Sequence, residues 1–341
     1  MSVNKQLVLD SRPTDKVAPA HFRLIEAPIR KPGAGEILVR NHFLSLDPYM
    51  RGRLSDAKSY AKPQEIGAVM GGGSVGEIVE SNNPRFKIGD FVVGMGGWQQ
   101  YFVTDGAGFN VVDAKAIPLQ AYLGVVGMPG VTAWYGLNKI IAPKPGETVV
   151  VSAASGAVGG VVGQLAKIAG AKVVGIAGGP EKCAFVKDEL RFDAAVDHRA
   201  ADFPAQLAAA CPDGIDVYFE NVGGAIWQAV LPLINKYARV PVSGLIAQYN
   251  GSGPGDGTDR LPATMREVLS KSLTLRGFIN SEFAEQHYAE FVREVGAGIA
   301  DGRIRYREDI VDGLDKAPEA FIGMLHGRNF GKLIVRVGAT P

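Results

Sequence analysis

Cysteine is scarce in this chain, with only Cys183 and Cys211, both in alanine-rich stretches of helical character. They form no C-x-x-C pair and no disulfide framework, which suits a reducing compartment. The opening residues, MSVNKQLVLDSRP, lack the apolar core of a signal peptide. Apolar runs also stay well short of the roughly 18 residues that a membrane span needs. The sequence therefore predicts a cytoplasmic protein.

An excess of charge of either sign is also absent. The 341 residues include 36 Lys and Arg against 35 Asp and Glu, a formal net charge of +1. Without a long-range field of one sign, neither nucleic acid nor an anionic membrane is favoured as a partner. A content of 46% hydrophobic and 21% charged residues is that of an ordinary globular protein. The length is sufficient for two domains.

The most informative segment is the glycine-rich stretch Ser152–Gly163, which reads SAASGAVGGVVG. It follows the apolar run Glu147–Val151, opens a helical pattern over Val158–Ala169 and precedes a second strand pattern at Ala171–Ala177. This order predicts a βαβ unit that binds a dinucleotide pyrophosphate at the helix N-terminus. Ala154 stands where the first glycine of G-x-G-x-x-G is expected. The alternative is a glycine-rich contact between a helix and a strand.

The end of the second strand distinguishes between the two nicotinamide dinucleotides. NAD-binding sites of this type usually carry a carboxylate there, whereas this chain continues Ala177-Gly178-Gly179-Pro180-Glu181-Lys182. Glu181 fits the first turn of a helix, where a negative charge is favourable. Lys182 can pair with a 2′-phosphate. The pattern favours NADPH over NADH, and the alternative is that Lys182 is an ordinary exposed lysine.

The chain changes character twice along its length. Residues 1–120 contain short strand patterns separated by Gly, Pro and Asp turns, and residues 121–301 alternate strands with helices. Residues 302–341 return to the first style, with strand patterns at Ile304–Ile310 and Lys332–Val337. The class is α/β, with a β-rich domain and an inserted, doubly wound, six-stranded domain. A ligand is expected in the cleft between the domains, at the carboxyl ends of the parallel strands.

A separate segment, Gly251–Pro262, reads GSGPGDGTDRLP. Its four glycines, two prolines and lack of apolar periodicity predict a surface loop. The loop follows a strand end and could close over a ligand. A plain solvent-exposed loop is the equal alternative.

Several motifs together resemble a known family. The F-x-x-G-D-x-V pattern at Phe86–Val92 and the glycine turn resemble the medium-chain dehydrogenase/reductase superfamily, with its GroES-like catalytic domain and inserted Rossmann domain. The similarity is closest to the zinc-free branch of leukotriene B4 12-hydroxydehydrogenases, prostaglandin reductases and alkenal double-bond reductases, including curcumin-reductase-like enzymes. The segments that carry it are Leu46–Arg53, Gly127–Ala133, Ala153–Gly159, Asn221–Gly224, Gly244–Asn250, Gly277–Ile279 and Gly327–Lys332.

The residues do not favour a metal. A catalytic zinc needs three Cys, His or carboxylate ligands around an open position. The zinc members of the superfamily carry ligands at positions that match Leu44 and the segment Gly71–Gly73 here. No cysteine occurs before Cys183, so the structural zinc lobe is also absent. His42 is the nearest candidate ligand, and its more ordinary interpretation is a satisfied surface or turn histidine.

Without a Lewis acid, conjugate reduction is the least demanding hydride chemistry. Hydride adds to the β-carbon of an enone or enal and charge develops on an enolate oxygen. One or two hydrogen-bond donors, each worth about 3 kcal/mol, can stabilise that charge. The resemblance implies a homodimeric, NADPH-dependent reductase of α,β-unsaturated aldehydes and ketones. The alternatives are a quinone reductase of the same superfamily, an alcohol dehydrogenase acting on a hydroxylated lipid, and a non-catalytic NADPH-binding module.

Tyr249 is the first candidate for a catalytic role. By resemblance it contacts the nicotinamide ribose region and helps orient the hydroxyl that stabilises the enolate. The alternative is a tyrosine that braces the following loop. Tyr49, in the segment LDPYM, is expected to line the substrate pocket.

The resemblance also implies a set of cofactor contacts. Backbone groups are expected at the pyrophosphate and the carboxamide, and side chains at the 2′-phosphate, the ribose and the nicotinamide-side phosphate. The pyrophosphate is expected to meet Gly156, Ala157, Val158 and Gly159, and the carboxamide is expected to meet Phe278 and Ile279. Lys182 is expected at the 2′-phosphate, Asn221 at the ribose and Asn329 at the nicotinamide-side phosphate. The family often has Tyr and Lys where His198 and Arg199 stand here, so His198 is expected to stack on or donate to the 2′-phosphate. The alternative is a polar turn.

Overall fold

The structure is a computed structural model that describes residues 3–250 and 258–338. It divides into two compact units. The first takes the described residues up to Gly124, Tyr249 with Asn250, and the residues from Glu308 onward. The second takes Val125–Gln248 and the described residues that follow as far as Arg307.

The strands and helices have the following bounds. The strands are β1 Val3–Leu9, β2 Phe22–Pro28, β3 Ile37–Ser45, β4 Ser74–Ser81, β5 Phe91–Gly94, β6 Tyr101–Thr104, β7 Asn110–Val112, β8 Thr148–Ser152, β9 Lys172–Ala177, β10 Ala194–Asp197, β11 Ile215–Phe219, β12 Ile234–Val242, β13 Thr274–Gly277, β14 Glu308–Asp312 and β15 Lys332–Arg336. The helices are α1 Met50–Arg53, α2 Met128–Tyr135, α3 Gly159–Ile168, α4 Pro180–Ala184, α5 Phe203–Ala210, α6 Gly224–Val230, α7 Leu261–Ser270, α8 Ala284–Ala300 and α9 Ala317–Leu325. No helix in these two described ranges is both long and apolar enough to cross a bilayer.

The first unit is built on a mostly antiparallel sheet. Its strand order is β14-β15-β3-β4-β5-β7, with β6 also pairing with β3, while β1 and β2 form a separate hairpin. β15 lies between β14 and β3 and is antiparallel to β3. One core cluster of this unit packs Leu44, Leu46, Met50 and Trp98 against Phe321 of α9. The segment that carries Tyr49 is therefore anchored in the core by its apolar neighbours.

The second unit is a six-stranded sheet in the order β10-β9-β8-β11-β12-β13. All of its neighbouring strands are parallel. β8, with the sequence TVVVS, is buried at every residue, as expected for a parallel strand that is covered on both faces. The predicted α/β class, with a β-rich part and a doubly wound sheet, is confirmed. β13 ends the sheet and leaves one edge unpaired within the described residues.

Three sequence expectations need correction. The strand predicted at Ile304–Ile310 lies at Glu308–Asp312, because Ile304 instead closes α8: it is buried, and its N–H donates to the carbonyl of Gly298 at 2.8 Å. His42 is not a surface or turn residue, since it is 1% exposed within β3. The loop predicted at Gly251–Pro262 falls mostly on residues 251–257, outside the described residues. Its last two residues begin α7, where proline is tolerated because the first turn needs no N–H donor.

Candidate active site

The order of strands in the second unit selects one place for a ligand. From β8 the chain winds outward through β9 and β10, and then from β11 outward through β12 and β13. The winding direction therefore reverses between β8 and β11. In open parallel sheets, ligands bind beyond the carboxyl ends of the strands at this switch point. The predicted glycine turn follows β8, and Asn221 follows β11, so both lie there.

The glycine turn is tight, and it presents backbone donors. Ala153 adopts a φ of 50°, in the left-handed region, and its carbonyl accepts the N–H of Gly156 at 2.9 Å. A Cβ on Gly159 would overlap that same carbonyl oxygen, so only glycine allows α3 to start so close to the turn. Ala154, at the position where the first glycine was expected, is fully buried.

The N-terminus of α3 has no side-chain cap. The hydrogen bonds of the described residues leave the N–H groups of Ala157, Val158 and Gly159 without a backbone acceptor. Uncapped N–H groups at a helix N-terminus, together with the helix dipole, form an anion site. The turn is therefore suited to a pyrophosphate.

A buried network fixes the other side of the switch point. Asn221 donates its side-chain Nδ2 to the carbonyl of Ser152 at 2.8 Å and its backbone N–H to Ser152 Oγ at 2.9 Å. Glu220 Oε1 accepts the Tyr218 hydroxyl at 2.9 Å and the N–H groups of Val222 and Gly223 at 2.7 and 2.9 Å. Burial raises the pKa of Glu220 above its usual range despite these donors. Glu220 was not predicted from the sequence, because no motif marks it and its role is seen only once its donors are in place.

A cationic corner follows β9 and β10. Lys182 is half-buried, and its charge contributes to lowering the pKa of His198, after burial and the charge of Arg199. A Cβ on Gly178 would lie 2.9 Å from His198 Nε2 and 3.0 Å from Arg199 Nε, so both side chains lie over the Gly178 backbone. The structure thus brings together the predicted Lys182 and His198. Arg199 joins them with a guanidinium that suits a phosphate.

Phe278 and Ile279 follow β13 at the end of the sheet. The Phe278 ring is buried and meets Phe219 edge-on, with ring centroids 6.3 Å apart. Ile279 is half-buried, and its carbonyl accepts the N–H of Glu282 at 3.0 Å. Since the Phe278 side chain is fixed in an aromatic cluster, the backbone of this segment is held firmly. Contact of these main-chain groups with the carboxamide stays a prediction.

In the first unit, a buried ion pair holds the segment that carries Tyr49. Lys332 Nζ donates to Asp47 Oδ1 and to the carbonyl of Leu46, both at 2.8 Å. Ser45 Oγ donates to the other carboxylate oxygen, Oδ2. Asp47 and Lys332 are 5% and 4% exposed. Burial, and then the charge of Asp47, raise the pKa of Tyr49. Its phenol therefore keeps its proton at neutral pH.

The remaining predicted residues also belong to the first unit. Tyr249 is half-buried. The pKa of Tyr60 is raised by its own burial and then by Tyr249. Tyr60 is in turn among the groups that raise the pKa of Tyr49, after burial and Asp47. Tyr60 therefore lies within electrostatic range of both Tyr249 and Tyr49. Asn329 donates Nδ2 to the carbonyl of Gly331 at 2.8 Å. Tyr60 was not predicted, because it stands in an irregular segment without a motif.

The structure also bears on metal binding. Over residues 3–250 and 258–338, no group of three or more His, Cys, Asp or Glu side chains is placed to hold a metal ion. His42 lies 3.5 Å from Glu77 Oε2 and packs against Phe91. That environment is a strand interior.

Two family models match the chain: the N-terminal domain of oxidoreductase over residues 5–112 and zinc-binding dehydrogenase over residues 157–296. The chain is 50% identical over 334 residues to the NADPH-dependent curcumin reductase of Escherichia coli, covering 98% of this chain and 97% of that protein. It is 38% identical over 340 residues to a 2-alkenal reductase (NADP(+)-dependent) of Nicotiana tabacum, covering 98% and 97%.

Among solved structures, CurA of Vibrio vulnificus in complex with NADPH is similar to this chain. The two superimpose with a TM-score of 0.95 at 48% identity, covering 98% of this chain and 100% of the other. Identity at this level across almost the whole length establishes a shared family. The chain therefore belongs to the zinc-independent, curcumin-reductase-like branch of the medium-chain dehydrogenase/reductase superfamily.

Proposed function

We propose that the protein is an NADPH-dependent reductase that delivers hydride to the β-carbon of α,β-unsaturated aldehydes and ketones without a metal. The observation that carries the proposal is the 50% identity, across nearly the whole chain, to a protein named as an NADPH-dependent curcumin reductase. Curcumin and 2-alkenals share a C=C bond conjugated to a carbonyl. Reduction of that bond is therefore the reaction that the two relatives would have in common.

The residues of the second unit fit NADPH. The N–H groups of Ala157, Val158 and Gly159 would hold the pyrophosphate. Lys182, His198 and Arg199 supply the charge that a 2′-phosphate requires. Asn221 would meet the ribose, and the backbone of Phe278 and Ile279 would meet the carboxamide. Asn329, a residue of the first unit, is proposed to meet the nicotinamide-side phosphate. When bound, NADPH supplies the hydride.

The tyrosines of the first unit supply the polar chemistry. Tyr249 would contact the ribose region and hold the hydroxyl that stabilises the developing enolate oxygen. Tyr49 would line the substrate pocket with a phenol that stays protonated, because burial and Asp47 raise its pKa. A protonated phenol donates a hydrogen bond to an oxyanion, which is the stabilisation that conjugate reduction needs.

An acceptor panel tests the activity. The purified protein is mixed with NADPH and, in turn, with a medium-chain 2-alkenal, a quinone and a saturated ketone. Loss of nicotinamide absorbance with the alkenal alone is expected. NADPH that carries deuterium on its transferred position should place the label on the β-carbon of the product. Turnover of the quinone alone would favour a quinone reductase, and tight NADPH binding without turnover would favour a non-catalytic module.

We further propose that the catalytic domain comprises residues 1–120 plus 302–341 and that the NADP-binding domain comprises residues 121–301. We also propose that the protein is cytoplasmic and has no nucleic-acid or membrane partner. Its proposed oligomeric state is a homodimer. In the part of the chain that the structure describes, one edge of β13 is unpaired, and this edge supports the dimer. On α7, Leu261, Met265 and Leu269 recur every four residues and are 63%, 53% and 82% exposed. Leu275 on β13 is also exposed. An unpaired strand edge beside an outward apolar stripe is suited to pairing with a second copy.

A further inference from the structure

Arg51 is a buried cation two residues after Tyr49. It lies in α1 and is 7% exposed. Its Nη2 donates to the backbone carbonyl of Asp15 at 2.7 Å, and its Nε lies 3.4 Å from Asn250 Oδ1. Burial lowers the pKa of Arg51, and only the charge of Asp15 works against this. The acceptors that the described residues give this guanidinium are thus neutral oxygens.

A buried cation with neutral acceptors is an expensive arrangement for stability alone. Removing a charge from water costs several kcal/mol, and a carboxylate partner usually offsets much of it. Arginine also offers a planar fork of donors that can hold two acceptors in a fixed relation. Here the fork joins the segment at Asp15 to Asn250. Its geometry therefore indicates a role in fixing the position of what it holds.

Asn250 joins a third segment to this contact. Its Oδ1 also accepts the backbone N–H of Val17 at 3.0 Å, and Val17 is buried in the same core cluster as Met50 of α1. Its Nδ2 is buried and has no hydrogen-bond partner within the described chain. One amide oxygen therefore ties the 249–250 segment to two elements of the first unit. Tyr249 is the residue directly before it.

We propose that Arg51 and Asn250 are positioning residues for the reaction. They hold Tyr249 in place through the Asn250 oxygen, and they hold Tyr49 through helix α1, which Tyr49 directly precedes. The proposal rests on the proposed function, in which these two tyrosines meet the ribose region and the substrate. A misplacement of about 1 Å at such groups can lower a rate about a hundredfold. Loss of the contact should therefore reduce kcat more than it weakens NADPH binding.

The first experiment compares four variants in NADPH-dependent alkenal reduction. Arg51→Lys keeps the charge but removes the fork, and it should lower kcat about tenfold with NADPH Kd changed less than twofold. Asn250→Ala should behave alike. Asn250→Asp retains an oxygen acceptor and loses no hydrogen bond at Nδ2, so it should recover much of the kcat that Asn250→Ala loses. Arg12→Lys is the matched control, since Arg12 also donates to backbone carbonyls in the first unit.

Equal losses in Asn250→Asp and Asn250→Ala, or an equal loss in Arg12→Lys, would overturn the proposal. A double-mutant cycle adds a second criterion. If Arg51 acts through Tyr249, the Arg51→Lys effect on kcat should shrink in a Tyr249→Phe background, because coupled residues are not additive. Independent, multiplicative losses would count against the proposed connection.

Amide hydrogen exchange separates this proposal from the proposed function. A peptide covering residues 249–250 should exchange faster in Arg51→Lys and Asn250→Ala than in Arg12→Lys. Unchanged exchange would show that the contact between Arg51 and Asn250 does not hold Tyr249 in place, whether or not Tyr249 takes part in the chemistry. Unchanged kcat in Tyr249→Phe, with faster exchange in Arg51→Lys, would instead remove Tyr249 from the chemistry and leave the contact standing. Unchanged kcat in Arg51→Lys would refute the positioning role itself.

Discussion

Asp197 Oδ1 accepts the backbone N–H of Gly179 at 2.8 Å. The same oxygen accepts the N–H of Arg199 at 2.9 Å. Burial works to raise the pKa of Asp197, but these two hydrogen bonds and the nearby His198 and Arg199 lower it overall. This carboxylate at the end of β10 is thus bound to backbone groups. The cationic side chains of this corner are those of Lys182, which is half-buried, and Arg199, which is exposed.

Removal of either neighbouring cation should reduce selectivity for the phosphorylated cofactor. Lys182→Ala and Arg199→Ala should each weaken NADPH binding about tenfold and NADH binding less than twofold, because only NADPH carries the 2′-phosphate. Titration of nicotinamide fluorescence with both cofactors measures the two Kd values. Lys187→Ala, an exposed lysine shortly after α4, is the control. Equal weakening of both cofactors would contradict the assigned contact.

His198 should make this selectivity depend on pH. Burial and Arg199 lower the pKa of His198 in the free protein, while a bound phosphate would raise it. The gain in affinity is then present below the free-protein pKa and is lost as pH rises through the pKa of the complex. As pH falls from about 8 to about 6.5, the Kd for NADH divided by the Kd for NADPH should rise about threefold. This factor corresponds to the free energy of an exposed ion pair. His198→Gln should flatten the profile, and a steep profile in that variant would exclude His198.

Glu220 should tolerate an amide but not truncation. The donors described above all meet Oε1, so Glu220→Gln can retain every one of them. Glu220→Ala leaves buried donors unsatisfied and should lower the free energy of unfolding by about 3 kcal/mol. Because burial raises the folded-state pKa of Glu220, its contribution is present below the unfolded pKa and is lost as pH rises through the folded value. In denaturant unfolding across pH, the free energy of unfolding of Glu220→Gln should therefore rise relative to that of the wild type as pH rises. A relative fall with rising pH would contradict this prediction.

The Asp47–Lys332 pair should show strong coupling. Lys332→Met leaves a buried carboxylate uncompensated and should lower the free energy of unfolding by about 3–5 kcal/mol. Asp47→Asn with Lys332→Met removes both charges, so the double variant should be more stable than Lys332→Met alone. Urea unfolding of the two single variants and the double variant measures the coupling. Additive losses would mean that the two charges do not stabilise each other.

The apolar stripe on α7 offers a test of the proposed dimer. Leu269→Glu places a charge on the most exposed leucine of the stripe and should shift the protein towards monomer in analytical ultracentrifugation. Leu269→Ala is the milder companion, and Ile88→Glu in the first unit, at an exposed position, is the control. A dimer that persists unchanged in Leu269→Glu would exclude this stripe from the interface.

Local patterns were sufficient to predict most of the sheet of the second unit. The predicted apolar run Glu147–Val151 matches β8, Thr148–Ser152, to within one residue at each end, because a buried parallel strand leaves a continuous apolar signature. α7 was missed because a glycine-rich, proline-containing tract precedes its amphipathic pattern. The strand assigned from Ile304 was wrong because the side chain closes a helix, which periodicity alone does not reveal.

The site was predictable only where a motif or local charge marked it. Lys182 and His198 stood beside recognisable strand ends, and the structure places them at one corner. Lys332 and Asp47 were not paired in advance, since they are 285 residues apart in the chain and no local motif connects their two segments. Arg51 was missed for the same reason, as its partner follows about two hundred residues later.

The position of β15 beside β3 also bears on synthesis. While the ribosome is still making the middle of the chain, β3 lacks one neighbour and Asp47 has no cation beside it. By the time β15 is made, the second unit, which ends at Arg307, has already been translated. The part of the protein that is translated first therefore completes its sheet last. Until then its strands stay exposed, in the form that chaperones bind.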